Sequence, residues 1–149
     1  MGTEVENKMI SGIYLITSKH NDKENGMIAA WVFRLSIKPQ LVGISIGKTR
    51  YSHDIIKKGG KFVVNFLSSQ DKDVIDWFGG RSGKDVDKMA KYEWLRDKTG
   101  LPILKRAFAY MECEIIDEKD AGDHTIFIGK VVNEKLVENK ETIITREYK

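Results

Sequence analysis

The chain is poor in residues that staple, punctuate or divide a fold. One cysteine, Cys113, stands in 149 residues, which excludes an intrachain disulfide framework and a multi-thiolate zinc site. Only two prolines occur. With no Pro/Ser linker, low-complexity tract or internal repeat, the sequence reads as a single domain over 1–149. Its longest apolar runs are a few residues, far short of the ~20 that cross a bilayer. The opening segment, MGTEVENKMISG, carries acids and no apolar stretch, unlike a signal peptide. Charge of one sign is missing too: 25 Lys+Arg stand against 22 Asp+Glu, a net +3, with the signs interspersed. Nucleic-acid binders show stronger, segregated basic patches. Neither a nucleic acid nor a membrane is therefore an expected partner, and a reduced, cytoplasmic setting is expected. The common local enzyme signatures (GxGxxG, the Walker loop, the nucleophile elbow, HExxH) are absent as well.

What is present is a run of strand-like segments. At 17.0 kDa a folded chain hides roughly 69% of its unfolded surface, enough for a core. SGIYLITS (11–18) is β-branched and aromatic, and Asn25-Gly26 at the end of the polar cluster 19–26 reads as a tight turn into MIAAWVFRLS (27–36). Pro39 marks a connection before QLVGISIG (40–47). KFVVNFLS (61–68), AFAYMECEII (107–116) and HTIFIGKVV (124–132) follow, with KLVE (135–138) or TIIT (142–145) as short edges. Ala107, Ala109, Met111, Cys113 and Ile115 alternate along one face, which makes Cys113 a core thiol. Helices are predicted at 52–59, capped by Ser52 and stopped by Gly59 or Gly60, at 71–79, and at 82–95, where Ser82 and Asp85 have the capping-box spacing. Many strands with closely spaced turn signals point to a small antiparallel β-barrel carrying about three helices.

Three stretches hold residues suited to chemistry. IGKTRYSHD (46–54) leaves a strand at Gly47, presents Lys48 and Arg50 and enters a helix at Ser52. That combination suits a phosphate, and it equally suits a solvated basic turn with an ordinary serine cap. GGRSGKDVDK (79–88) places Arg81, Ser82, Gly83 and Lys84 before a helix, either as a second anion-ready terminus or as a capped glycine loop. In AGDHTIFIGKV (121–131), His124 opens a strand, where an imidazole can exchange a proton or donate to a ligand, or simply close a turn. Trp77 and Trp94 read as packing residues. Trp31, beside Ala29 and Ala30, leaves room for a flat ring to approach the backbone. His20, in a polar turn, carries no functional reading.

In this order the stretches resemble the flavin reductase-like family. The resemblance runs from about Ser11 to Val132 and rests on NGMIAAWV (25–32), SIKPQLVGISI (36–46), KTRYSHDII (48–56), FVVN (62–65), SGKDVDK (82–88), GLPIL (100–104), MEC (111–113) and, most specifically, GDHTIFIGKV (122–131). It implies a mainly β fold, an antiparallel Greek-key split barrel that binds FMN. Under it, Met27, Ile28, Ala29, Ala30 and Trp31 would run along the isoalloxazine, and Ser45, Ile46, Gly47 and Lys48 would follow the ribityl chain. Lys48 and Ser52, with Arg50 nearby, would hold the phosphate. Ser82, Gly83 and Lys84 would border the flavin from the same chain or a partner's, and His124 would position a nicotinamide. The implied activity is hydride transfer from NAD(P)H to flavin, with electrons passed to free flavin or a ferric chelate, a monooxygenase or a redox protein. A flavoredoxin-like carrier with no nicotinamide step is the alternative. A homodimer is implied. This chain departs from the family pattern where Ile28 and Ala30 stand in place of frequent hydroxyl residues, Ser52 in place of threonine, and Gln40 in place of a second proline.

Overall fold

The computed structural model describes residues 2–80, 82–84 and 86–148. Seven strands form one antiparallel sheet: β1 (Tyr14–His20), β2 (Lys23–Ala29), β3 (Val32–Ser36), β4 (Leu41–Gly47), β5 (Lys61–Phe66), β8 (Ala109–Ala121) and β9 (His124–Leu136). Their order is β2-β1-β5-β8-β9-β4-β3, and β6 (Trp94–Leu95) pairs separately with β7 (Ile103–Leu104). The two edge strands, β2 and β3, are consecutive in the chain and joined only by Ala30 and Trp31. Laid flat, seven strands would set those edges about 29 Å apart. Three Cα–Cα steps span at most about 11 Å, so the sheet has to roll until its edges meet at that corner. The roll stays open, since the hydrogen-bonded order ends at β2 on one side and β3 on the other.

Inside the roll lie Ile16, Met27, Val42, Ile44, Ile46, Phe62, Val64, Cys113 and Phe127, all buried. Gly129 is required there, because a Cβ would stand 2.6 Å from the Phe62 ring and 2.8 Å from Cys113 Cβ. A second cluster, with Leu15, Leu67, Val74, Ile75, Phe78 and Leu104, packs outside the sheet. The Cys113 thiol is pushed up to about 12, first by burial and then by Glu112 and Glu134. It is an inert core group.

Two α-helices occur among the described residues, where three were expected. The first, α1 (Tyr51–Gly59), closes with Gly60 in the left-handed region at φ 74°, whose amide donates to the Ile56 carbonyl. The second, α2 (Lys72–Gly79), follows a reciprocal capping box between Ser68 and Asp71. Among the described residues of the helix predicted over 82–95 no α-helix forms; they hold a 3₁₀ turn at Met89–Lys91 and the short strand β6. Trp77 Nε1 donates to the Lys88 carbonyl at 2.9 Å and Trp94 Nε1 to the Met89 carbonyl at 2.8 Å. Those carbonyls are thereby engaged by indoles, which pin the segment as a loop. Asp85 lies outside the described residues, so the expected capping box falls there.

Three local expectations also change. The first hairpin turns at Asn21-Asp22, with Asn21 at φ 53°, and its register pairs His20 with Lys23. Asn25 and Gly26 sit buried inside β2 instead, where the missing Cβ of Gly26 admits the Phe78 ring. The segment 27–36 is split at Ala30–Trp31 by the corner. In β8 a bulge between Glu112 and Cys113 breaks the strict alternation and buries both residues. Of the short edges, Leu136 ends β9, and Ile144 makes only an isolated bridge to Gly12.

The buried Glu112 carboxylate accepts hydrogen bonds from the Lys98 and Thr99 amides at 3.0 and 2.9 Å, from Thr99 Oγ1 at 2.5 Å, and from Asn133 Nδ2 at 2.8 Å. Burial works to raise its pKa, but these donors outweigh it and hold the carboxyl below its ordinary range. The stability it contributes is thus complete above about pH 4.5 and lost as pH falls through the lowered folded value. The unfolding free energy of wild type relative to Glu112→Gln should therefore be pH-independent near neutrality and shrink steadily in acid, as urea titrations at a series of pH values would show. A second expectation concerns α1. Replacing a helical glycine by alanine usually stabilises by about 0.5–1 kcal/mol. At Gly59, however, a Cβ would collide with the Lys19 backbone carbonyl. Gly59→Ala should lower stability by about 1–3 kcal/mol, measured by urea denaturation.

Candidate functional site

The roll brings distant segments to its open corner. The strip from Met27 to Trp31, the end of β4 at Ser45 and Gly47, Arg50 and His124 line one cavity of about 150 Å³. The β4–β9 register sets Gly47 opposite His124, and the Trp31 carbonyl accepts from the Ser45 amide at 2.9 Å. Met27 and Ala29 are buried and Ile28 and Ala30 half-buried, whereas Trp31 is 52% exposed. The Trp31 ring lies against His124, centroids 4.6 Å apart. His124 Nδ1 donates to Asp123 Oδ1 at 2.7 Å, and that bond holds the Asp123 carboxyl below its usual range. The pairing leaves Nε2 on the Gly47 side, where a Cβ on Gly47 would stand 3.8 Å from it. Ile46 is not at this wall. It is buried in the core at 1% exposure.

A second cavity, of about 280 Å³, adjoins the first through Arg50. Arg50, Ser52, Gly79, Ser82, Gly83 and Lys88 are on its walls. Ser52 is inside α1 rather than at its cap. Arg50 occupies the cap position in extended conformation, and the buried Ser52 hydroxyl accepts from Asn25 Nδ2 at 2.5 Å. Gly83 packs so tightly on Asn25 that a Cβ there would collide with its amide oxygen. Asn25 thus locks α1 and the 82–84 loop to β2, and the loop borders a cavity of its own chain. His53 hydrogen-bonds with Thr125 Oγ1 at 2.8 Å, tying α1 to the start of β9 beside His124. Lys48 and Lys84 face a neighbouring groove, with Lys48 ion-paired to Asp120. Arg81 lies outside the described residues.

Lys88 and Asn25 were not singled out from the sequence. Both stood within marked stretches, but a lysine in a charged loop and an asparagine before glycine look like surface residues. In the fold Lys88 is only 3% exposed. Its ammonium is lowered to about 8, chiefly by burial and further by Arg50. Two cations, Arg50 and Lys88, and two serines, Ser52 and Ser82, thus face one cavity, a donor set suited to a phosphate.

Comparison with known proteins decides the lineage. The family model described as flavin reductase like domain matches residues 7–149. The chain belongs to that family. This flavin reductase-like protein is 31% identical over 150 residues to a ferric-chelate reductase (NAD(P)H) of Archaeoglobus fulgidus, covering 99% of this chain and 89% of the relative. It is 35% identical over 135 residues to a high molecular weight rubredoxin of Moorella thermoacetica, covering 89% of this chain but 59% of that longer protein. Among solved structures, the flavin reductase PheA2 superposes with a TM-score of 0.85 at 31% identity, covering 100% of this chain and 96% of that one. The family's cofactor class fits the residues present: a backbone strip and a histidine border one cavity, and a cavity lined by Arg50, Lys88, Ser52 and Ser82 adjoins it. Because Arg50 depresses the Lys88 pKa, Arg50→Ala should move Lys88 partway back from about 8 towards the ordinary lysine value. NMR titration of the side-chain ammonium would read the change.

Proposed function

We propose that this chain is an FMN-binding oxidoreductase that accepts a hydride from NAD(P)H and passes the electrons to free flavin or a ferric complex. The observation that carries the reading is the convergence of Met27–Trp31, Ser45, Gly47 and His124 on one cavity that opens through Arg50 onto the Ser52, Ser82 and Lys88 cavity. A bound flavin supplies the hydride-accepting chemistry. The protein holds and orients. Arg50, Lys88, Ser52 and Ser82 would hold the phosphate, with Lys48 and Lys84 adding positive charge from outside and Gly83 keeping the loop close. Ser45, Gly47 and the backbone of Ile28, Ala29 and Ala30 would border the ring and its chain. Ile28 and Ala30 bring no hydroxyl, so polar contacts on that side come from main-chain groups. Ile46 supports the wall from the core.

His124, fixed by Asp123 and lying against the Trp31 ring at a tilt, would steer the nicotinamide against the flavin ring. Positioning of that kind governs hydride transfer more than acid–base chemistry does. The rolled, open sheet supports the Greek-key split-barrel description, and the exposed Phe33 and Leu35 on the edge strand β3, with Ile37 just past its end, support a homodimer. The ferric-chelate reductase and flavin reductase relatives support a nicotinamide donor. The likeness to high molecular weight rubredoxin favours a second reading, an FMN carrier that exchanges electrons with a redox protein and takes none from a nicotinamide. A monooxygenase acceptor is supported by 35% identity to the HsaB reductase subunit of Mycobacterium tuberculosis.

An anaerobic visible spectrum of the FMN-loaded protein separates the readings. Rapid bleaching by NADH or NADPH is expected, and bleaching only by a strong chemical reductant would establish the carrier instead. In the same assay His124→Ala should slow reduction by about 10- to 100-fold while FMN affinity stays near wild type. Unchanged reduction kinetics with both nucleotides would remove His124 from this role.

A further inference from the structure

Trp31 stands at the corner cavity with half of its surface open, in contrast to Trp77 and Trp94, which are half-buried and donate to backbone carbonyls. A side chain of this size is usually well buried in a folded domain. Here the backbone sets it outward, because Trp31 belongs to the short join between β2 and β3 and its carbonyl is held by the Ser45 amide. The indole lies beside His124, the two ring planes 41° apart. Around it the lining offers little to a cation. Arg50 brings a positive charge, and no carboxylate lines the cavity among the described residues. The nearby Asp123 carboxylate is engaged by His124 Nδ1.

A dihydronicotinamide ring enters such a site neutral and leaves it charged. Its C4–H bond breaks with both electrons, the hydride passes to the flavin, and the nicotinamide is left as a pyridinium cation. A wall holding Arg50 and no carboxylate opposes that charge, whereas the π face of an indole attracts it. We propose that Trp31 holds the nicotinamide by its face and stabilises the positive charge the ring acquires as the hydride leaves. The attraction grows along the reaction, so it lowers the barrier beyond adding affinity. The inference rests on the nicotinamide reading of the site and divides its labour: His124 aims the ring, and Trp31 answers its charge.

The test is calorimetric titration of the full chain, saturated with FMN, with two nucleotides. NAD⁺ has a cationic ring, and tetrahydro-NADH is an unreactive analogue with a neutral one. Trp31→Leu keeps an apolar wall without a π face, and Trp31→Phe restores a smaller face. Because the Trp31 contact with Ser45 is main-chain, both variants keep it. Trp31→Leu should weaken NAD⁺ by about 5- to 30-fold and tetrahydro-NADH by several-fold less, with Trp31→Phe between it and wild type. In stopped-flow reduction by NADH, Trp31→Leu should lower the limiting rate more than it raises the half-saturating concentration. An equal loss for both nucleotides makes Trp31 an ordinary apolar wall and overturns the proposal, as does an unchanged NAD⁺ affinity. NADH reduction at the wild-type rate in Trp31→Leu overturns this inference alone and leaves the nicotinamide reading standing. Wild-type protein that binds FMN but neither nucleotide overturns both.

Discussion

Everything at the candidate site depends on one covalent constraint, the two-residue join between the edge strands of a seven-stranded sheet. Ala30 and Trp31 carry the chain from β2 to β3, and β3 pairs only with β4 at the far side of the sheet. A join that short cannot be satisfied by a flat sheet. Rolling gives Ile16, Ile44, Phe62 and Phe127 a common interior. The corner itself becomes the place where Ser45, Gly47 and the first residue of β9 come beside the strip from Met27 to Trp31. The pocket is thus a by-product of closing the core, with small residues at Ala29, Ala30 and Gly47 keeping its wall thin.

Electrostatics then divide the labour around α1. On its inner side Arg50 and Lys88 face the buried Ser52, and Asn25 fixes the hydroxyl from β2. Burial of the Lys88 ammonium, and secondarily the Arg50 guanidinium, lowers its pKa to about 8. On its outer side the cations are exposed and partly balanced, as Lys48 is by Asp120. Exposed charges of this kind set attraction and selectivity, while buried ones set affinity. His53, through Thr125, links this helix to the start of β9 beside His124, so the Ser52 cavity and the His124 cavity share one support.

Much of the strand content was legible, because β4, β5 and β9 are β-branched runs bounded by glycine or charged turns. The GDH stretch pointed to His124, and the KTRYS stretch to Arg50 and Ser52, by residue type alone. Other features were hidden for physical reasons. Asn25-Gly26 has the composition of a turn, yet the true turn is one hairpin step earlier, because Asn21 takes the left-handed conformation. The segment 82–95 has helical spacing, but the indoles of Trp77 in α2 and of Trp94 near the segment's own end capture the Lys88 and Met89 carbonyls. Lys88 and Asn25 look solvated in sequence, and only packing buries them.

Sequence by itself determined the class of the molecule: a cysteine-poor, mainly β chain with the ordered marks of a flavin reductase-like protein. Those properties reside in local composition and in short motifs, which survive without knowledge of contacts. Tertiary structure decided which marked residues meet. It withdrew Ile46 into the core, turned Ser52 from a cap into a buried acceptor, brought Lys88 opposite Arg50, and set a second basic groove beside the first cavity. Such outcomes depend on strand order and on the short join at Ala30–Trp31, because proximity between residues a hundred positions apart is a property of how a sheet rolls.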